Sequence, residues 1–365
     1  MEKSSPLTEN CTARKQLHEK QEKIMAIIVP DNHKYIEKLT DSLNEKGVEV
    51  VLLSPFHYAT PLNFLKTFIL KLQGFNVIHI QWVYVFPFDW LMKLYVTLAK
   101  KLGYKIAYTL HDVHESALQG RFTSRKKVVW MYNNVDYSFI HYKSNLKLLE
   151  KQLGVKPHNI ETIYHPIFEG YADQVTKKEA RESLGIPLDK KVVLLFGKLA
   201  RYKGVEYFAD ALQHLDESYY GLMVGREWDS ELIEEIKVRS IPNLRVIDKY
   251  IPDEEVQYYL NACDVVVAPY TSITTSGVVL LAYSFSRPVI ATRLGGVPEV
   301  VEHEETGLLI PPEDVEALID AIKKLFIMDY EAMGRKAYEL AKEKFTWEKL
   351  AEQTMNVYRK VVENE

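Results

Sequence analysis

The stretch Asp264–Val301, DVVVAPYTSITTSGVVLLAYSFSRPVIATRLGGVPEVV, leaves few folds open to this chain. Asp264–Pro269 is a short valine-rich run, the pattern of a strand buried on both faces of a parallel sheet. Thr271–Gly277 is a loop of hydroxyls ending in glycine, and Val278–Phe285 continues as an apolar helix. Pro288–Thr292 is a second buried strand. Gly295-Gly296 then turns into Pro298-Glu299, with proline near a helix start, where its missing N–H is not needed. Two loops therefore face one side of a parallel sheet, each feeding a helix N-terminus. Free N–H groups and the positive dipole end make such places anion sites. The plainer reading is a βαβ unit with no ligand at all.

A second strand-to-helix turn lies upstream. Val192–Phe196 is a buried strand that runs into Gly197-Lys198-Leu199-Ala200-Arg201-Tyr202-Lys203-Gly204. Three cations fall between two glycines. The glycines permit close backbone approach, and the cations can neutralise a diphosphate; alone, such a trio also fits a solvated charge cluster. This one sits at the carboxyl end of a strand, where open α/β sheets bind ligands.

Taken together, these segments resemble the C-terminal half of a GT-B glycosyltransferase of the GT4 family. Its pattern is G-R-L-x-x-x-K-G, then P-S-x-x-E-G-F-G-x-x-x-x-E-A, then P-V-I-A-T-x-x-G-G-x-P-E. The matching residues are Gly197, Lys203-Gly204, Pro288-Val289-Ile290-Ala291-Thr292, Gly295-Gly296 and Pro298-Glu299, in the right order and spacing. The resemblance extends over nearly all of the chain after residue 23. The family's paired glutamates fall at Ile273 and Leu281, neither acidic. The loop is instead similar to that of a GT4 subgroup reading P-Y-x-S-x-T-x-S-G, matched by Pro269-Tyr270, Ser272, Thr274, Ser276 and Gly277. The resemblance then implies donor contacts from the hydroxyls of Thr274, Thr275 and Ser276 and the amide of Gly277. Lys198 stands where the family has arginine and lacks its planar fork, which Arg201 can supply.

At 365 residues, 47% hydrophobic and 26% charged, the chain suits two ordinary globular domains. A net charge of −4 gives no reason to invoke nucleic acid. Cys11 and Cys263 imply neither a disulfide framework nor a thiolate metal site and suit a reducing cytoplasm. Met1–Glu22 is polar and aperiodic, without the apolar core of a signal peptide, and reads as a disordered tail. No apolar run is long enough for a transmembrane helix.

Strands are expected at Ile24–Pro30, Val48–Leu53, Phe75–Gln81, Lys105–Leu110, Val135–His141 and Ile160–Ile163. Helices are expected at His33–Lys46, Asp89–Leu102 and Ser144–Leu153. A second series follows at Val192–Phe196, Tyr220–Val224, Leu244–Ile247, Asp264–Pro269 and Pro288–Ala291. Val315–Phe326, Tyr330–Lys344 and Thr346–Val362 read as helices, and Thr176–Glu179 fits a capping box. This alternation predicts an α/β chain of two Rossmann-like, doubly wound parallel-sheet domains facing across a cleft. Residues 23–168 form the first domain and 169–345 the second. The resemblance implies that 346–365 cross back onto the first.

Thr109–Glu115 (TLHDVHE) follows a strand, so its side chains emerge at the sheet edge. A metal cluster lacks a third strong ligand, and a polar loop with capping residues is the other plain reading. The resemblance (T-x-H-[DN]-x-x-x-[HE]) implies that His111 hydrogen-bonds the donor sugar, through a hydroxyl or carbonyl, and that Asp112 or Glu115 contacts the acceptor. His165-Pro166 stands where the family has H-G between domains; His165 either lines the cleft or is a satisfied hinge residue. Tyr250–Glu255 (YIPDEE) resembles the family's Y-V-P-x-E-E, which implies a nucleotide base near Tyr250.

Pro61–Gln73 carries Phe64, Leu65, Phe68, Ile69 and Leu72 on one helical face. Trp82–Lys101 is rich in aromatics and ends in Lys100-Lys101. Such stripes either pack on the sheet or seat a protein on an anionic bilayer. A bilayer seat through residues 61–101 would put the protein on the inner face of the cell membrane and suit a lipid-linked acceptor.

The resemblance implies a retaining transferase that moves a sugar from a UDP- or GDP-sugar to a saccharide hydroxyl, in polysaccharide or glycoconjugate synthesis. Lys203, with Arg201 or Lys198, would stabilise the departing diphosphate. Gly197, Gly296 and Glu299 would line the donor site, and no metal or other cofactor would be required. A sugar-nucleotide epimerase and a non-catalytic sugar-nucleotide-binding protein stay open beside it.

Overall fold

The structure is a computed structural model and describes residues 24–29, 34–53, 61–83, 86, 88–111, 124–168 and 175–363. The tail expected over residues 1–22 lies outside them. In the first half, strands β1 (Met25–Val29), β2 (Glu49–Leu52), β3 (Val77–Ile80), β4 (Lys105–Leu110), β5 (Tyr137–His141) and β6 (Ile160–Ile163) alternate with helices. The helices are α1 (Lys34–Glu45), α2 (Pro61–Leu72), α3 (Asp89–Lys101), α4 (Arg125–Asn134) and α5 (Ser144–Leu148), the last running into a π-helical turn at Leu149–Leu153. The strands form one sheet in the order β2-β1-β3-β4-β5-β6, parallel throughout.

The second half holds β7 (Lys191–Phe196), β8 (Tyr219–Gly225), β9 (Leu244–Asp248), β10 (Val265–Ala268), β11 (Val289–Thr292) and β12 (Gly307–Ile310). Its helices are α6 (Lys177–Leu184), α7 (Val205–Gln213), α8 (Ser230–Val238), α9 (Asp253–Ala262), α10 (Gly277–Ser284), α11 (Val297–Val300), α12 (Val315–Leu325) and α13 (Tyr330–Lys344). The second sheet is also parallel, in the order β12-β11-β10-β7-β8-β9. The sequence gives no warning of α4 or β12. The first has a weak apolar pattern, and the second is a four-residue edge strand.

Side-chain alternation along the strands explains the layers, because successive residues face opposite sides of a sheet. In the first domain Ile27, Ile78, Ile80, Ile106 and Ile140 pack under α2, α3 and α4. Their neighbours Ala26, Ile28, Val77, Ala107 and Phe139 pack under α1 and α14 (Trp347–Glu363). The last helix thus belongs physically to the first sheet, and Tyr358 hydrogen-bonds the buried His79 at 2.7 Å. In the second domain Leu194, Val266 and Ala291 face one core, while Val193, Val267 and Ile290 face the other. The Thr176–Glu179 capping box is formed in full.

The apolar stripes of α2 and α3 divide between two surroundings. Leu70, Met92, Tyr95 and Val96 are core, but Leu65, Phe68, Ile69, Leu72, Phe88, Trp90, Leu94 and Leu98 are exposed. Sheet packing therefore accounts for only part of the pattern. No helix among the described residues is long and apolar enough to cross a membrane.

Among the described residues, the domains meet at a junction centred on Glu299 and Gly296, with a Lys34–Asp253 ion pair elsewhere. The Glu299 carboxylate accepts the main-chain N–H of Lys143 and Ser144 at 2.9 and 2.7 Å, capping α5 from the other domain. Tyr164 donates to the same carboxylate at 3.4 Å. Tyr142, buried and held at φ 69°, lies against Gly296, where a Cβ would come within 2.3 Å of its ring. Overpacking a tight contact typically costs about 1–3 kcal/mol. Gly296→Ala is expected to lower the unfolding free energy from urea titration by that amount, and the same substitution in a Tyr142→Ala background should cost much less.

Candidate functional site: the cleft between the two sheets

The order of the second sheet reverses between β7 and β10, so the crevice outside their carboxyl ends is the topological switch point. The two loops there are fused by close backbone contact. Gly197 adopts φ 108°, and a Cβ on Gly225 would come within 1.7 Å of the Gly197 carbonyl oxygen. Arg201–Lys203 forms a single 3-10 turn that ends in Gly204 at φ 71°. A Cβ on Gly204 would lie 1.9 Å from the Pro269 carbonyl oxygen, so only glycine lets the cationic turn sit against the end of β10. Thr271 N–H donates to the Tyr202 carbonyl at 3.1 Å.

This fusion places the Lys203 ammonium 4.5 Å from the Tyr270 ring centroid. Tyr270 in turn shares a 2.7 Å hydrogen bond with Ser276. The other two cations of the trio are directed elsewhere. Arg201 is held by Glu206 at 3.8 Å and Asp229 at 3.6 Å. Lys198 lies over the Trp228 ring at 4.4 Å. The structure thus groups Lys203 with Ser276 and Gly277 and engages the Arg201 fork with carboxylates.

Three donor contacts expected from the sequence have other partners here. Ser276 accepts the Val279 N–H and so caps its own helix, α10. Gly296 N–H is bonded to the Thr274 carbonyl at 3.0 Å, which removes it as a free anion donor. Glu299 serves the domain junction. Thr274 is buried and Thr275 half-buried, while Tyr250 is 69% exposed beyond β9, just before α9.

Across the cleft, polar residues line the carboxyl edge of the first sheet. His111 follows β4 and stacks on Trp82, ring centroids 4.3 Å apart. Its Nε2 lies 3.0 Å from Gln81 Oε1, and its Nδ1 lies 3.1 Å from His141 Nε2. His141 Nδ1–H donates to the Ile163 carbonyl at 3.3 Å, leaving its Nε2 as an acceptor for His111. Acceptors therefore face both ring nitrogens of His111. A sugar reached through this ring must displace one of those bonds. His165 Nδ1 donates to the Pro166 carbonyl at 3.0 Å, and its ring packs beside Tyr35 and Phe168. Asp112 and Glu115 lie outside the described residues.

Gln81, Trp82 and His141 were not legible as site residues one at a time. A usable signal was present, however. Each stands at or just after the carboxyl end of a buried strand, as His111 does. Among the described residues, no group of three or more His, Cys, Asp or Glu side chains is arranged to hold a metal.

Residues 190–327 match the family profile described as glycosyl transferases group 1. The second domain belongs to that family, and the two domains together have the GT-B fold. The D-inositol 3-phosphate glycosyltransferase of Corynebacterium urealyticum is 32% identical over 198 residues, 50% of this chain and 46% of that protein. An uncharacterised glycosyltransferase of Methanocaldococcus jannaschii is 23% identical over 88% of this chain and 86% of that one. The chain spans about half the length of the first curated relatives it matches. Among solved structures, the sucrose-phosphate synthase of Thermosynechococcus elongatus superposes with a TM-score of 0.74 at 20% identity, covering 94% of this chain and 100% of that one. The Anabaena protein HepE, solved in complex with UDP, gives 0.71 at 15% identity over 91% and 98%. At these identities the structural likeness is one of fold.

Burial pushes the pKa of His79 and of His141 down from 6.5 to about 3. Both rings stay neutral in the folded state, while the unfolded chain takes up protons below its own pKa. Their contribution is full above about pH 6.5 and is lost as pH falls from there towards 3. Between pH 7 and about pH 4.5 each ring should cost the fold about 2–3 kcal/mol. Urea midpoints across that window should fall less steeply for His141→Gln than for the parent.

Proposed function

We propose that this chain is a retaining, metal-independent glycosyltransferase acting in polysaccharide or glycoconjugate synthesis. It moves a sugar from a nucleoside diphosphate sugar to the hydroxyl of a saccharide or lipid-linked saccharide. The observation that carries this reading is the placing of Lys203 against the loop of residues 270–277 at the switch point of the second sheet. Solved relatives in complex with UDP and with UDP-glucose support a UDP-type donor.

In this reaction the bond between the anomeric carbon and the leaving phosphate oxygen breaks, and negative charge gathers on the diphosphate. A preorganised cation at the phosphate stabilises that charge without reorganisation at the moment of reaction. Lys203 fills this role, with the free N–H groups at the start of α10 beside it. The acceptor oxygen attacks from the same face, and its proton passes to the leaving phosphate oxygen. His111, oriented by Gln81 and His141, borders the transferred sugar from the first domain. Asp112 and Glu115 remain the acceptor-side assignments, with His165 beside the hinge.

Lys203→Ala should lower turnover at least roughly a hundredfold, as for loss of one preorganised charge-stabilising group. The assay is release of nucleoside diphosphate from the sugar nucleotide in the presence of acceptor; near-parental activity removes the phosphate role. The same assay should be insensitive to EDTA.

The exposed face of α2 and α3 bears on the acceptor. Thr67 and Tyr95 hydrogen-bond between the helices at 3.2 Å, which packs α2 beside α3. Lys66, Lys93, Lys100 and Lys101 are exposed beside that face, and Asp89 is the single carboxylate on either helix. Apolar and aromatic residues flanked by lysines suit an anionic bilayer. The helices begin at the carboxyl edge of the sheet, so a membrane on this face would border the cleft. Sedimentation with phosphatidylglycerol vesicles should exceed that with phosphatidylcholine vesicles, and Trp90→Glu with Leu72→Glu should abolish it.

A further inference from the structure

A cavity of about 360 Å³ opens between the domains, beside the loop whose Thr271 bonds the Lys203 turn. One wall is α5 with its π-helical continuation. The other is formed by residues 271–273 and 294–295 of the second domain. Its volume is in the range of small-molecule sites.

The lining is largely apolar, and its charged side chains carry one sign. Lys147 and Lys151 both line the cavity and are exposed, and no carboxylate lines it among the described residues. Neither lysine is in an ion pair among the described residues. Three further lining residues hold buried polar atoms without a partner: Ser144 Oγ, Asn145 Oδ1 and Gln152 Oε1. Asn145 is only 2% exposed, and its Nδ2 donates to the His141 carbonyl, which leaves Oδ1 as the open acceptor. Buried polar atoms are nearly always satisfied in native proteins, so these residues hold hydrogen-bonding capacity that the chain itself does not use. The π turn recurs at functional sites and here carries Lys151 and Gln152 to the wall.

We infer that this cavity is a subsite for an anionic saccharide, a sugar bearing a phosphate or a carboxylate. The two lysines take the charge, and Asn145, Gln152 and Ser144 take the hydroxyls. The inference rests on the transferase reading in that the bound sugar is its acceptor. The Asn145–His141–His111 chain of hydrogen bonds joins the subsite to the residues placed at the reacting sugar.

The test is calorimetric titration of the full chain, at low salt and with saturating UDP, using glucose 6-phosphate, glucuronate and glucose as probes. One or both charged sugars should bind roughly tenfold more tightly than glucose. The preferred one identifies phosphate or carboxylate as the recognised group. Adding salt should narrow the gap. Lys147→Gln/Lys151→Gln, both surface changes, should remove the preference while UDP binding stays unchanged. Asn145→Ala should weaken every sugar that binds. Equal binding of all three sugars, or a preference that survives the double lysine variant, overturns the inference. Charged-sugar binding that follows the lysines in a protein that ignores UDP, GDP and ADP would keep the subsite and remove the transferase reading instead.

Discussion

Glu299 holds the two domains in register, and the geometry of the cleft depends on it. Its carboxylate caps the first turn of α5 from across the interface, where free N–H groups and the helix dipole favour a negative charge. Hydrogen bonds to a charged group contribute roughly 1.5–3 kcal/mol each. Beside it, Gly296 admits the Tyr142 ring, so the junction is polar at its rim and packed at its centre. The junction sets how far the His111 cluster stands from the Lys203 turn. It also forms the back of the cavity under α5, because Ser144 is both capped by Glu299 and part of that wall.

The division of labour follows from the two sheets. Parallel strands buried on both faces offer a ligand nothing but their carboxyl edges, and each domain places its polar chemistry there. In the second domain close contacts at Gly204 and Gly225 draw the ends of β7, β8 and β10 together, and Lys203 lies against the Tyr270 ring there. In the first domain the described residues of the edge are polar and aromatic. His79 and His141 are kept uncharged by burial, and Trp82 covers His111.

Much of this was legible in the residues. The alternation of strand and helix patterns over both halves predicts two parallel-sheet domains, and both sheets are present. What could not be read was partner choice at long range. Glu299 looks like a donor contact until its partners, 155 and 156 residues earlier, are seen. Arg201 looks like a free fork until Asp229 and Glu206 close on it. Periodicity marks the apolar stripes of α2 and α3, but it cannot say that Phe68 and Trp90 face outward while Tyr95 faces in. A helical pattern over residues 144–153 likewise hides the change to a π turn, which alters the side-chain phase at Gln152.

The measurement that bears most directly on the central claim is backbone hydrogen exchange with and without UDP, with GDP and ADP in parallel. The account predicts that one of these nucleotides slows exchange over residues 197–204 and 270–277 together, because both loops build one diphosphate site. Unchanged exchange with all three in a folded sample, or slowing confined to segments away from the switch point, would contradict it.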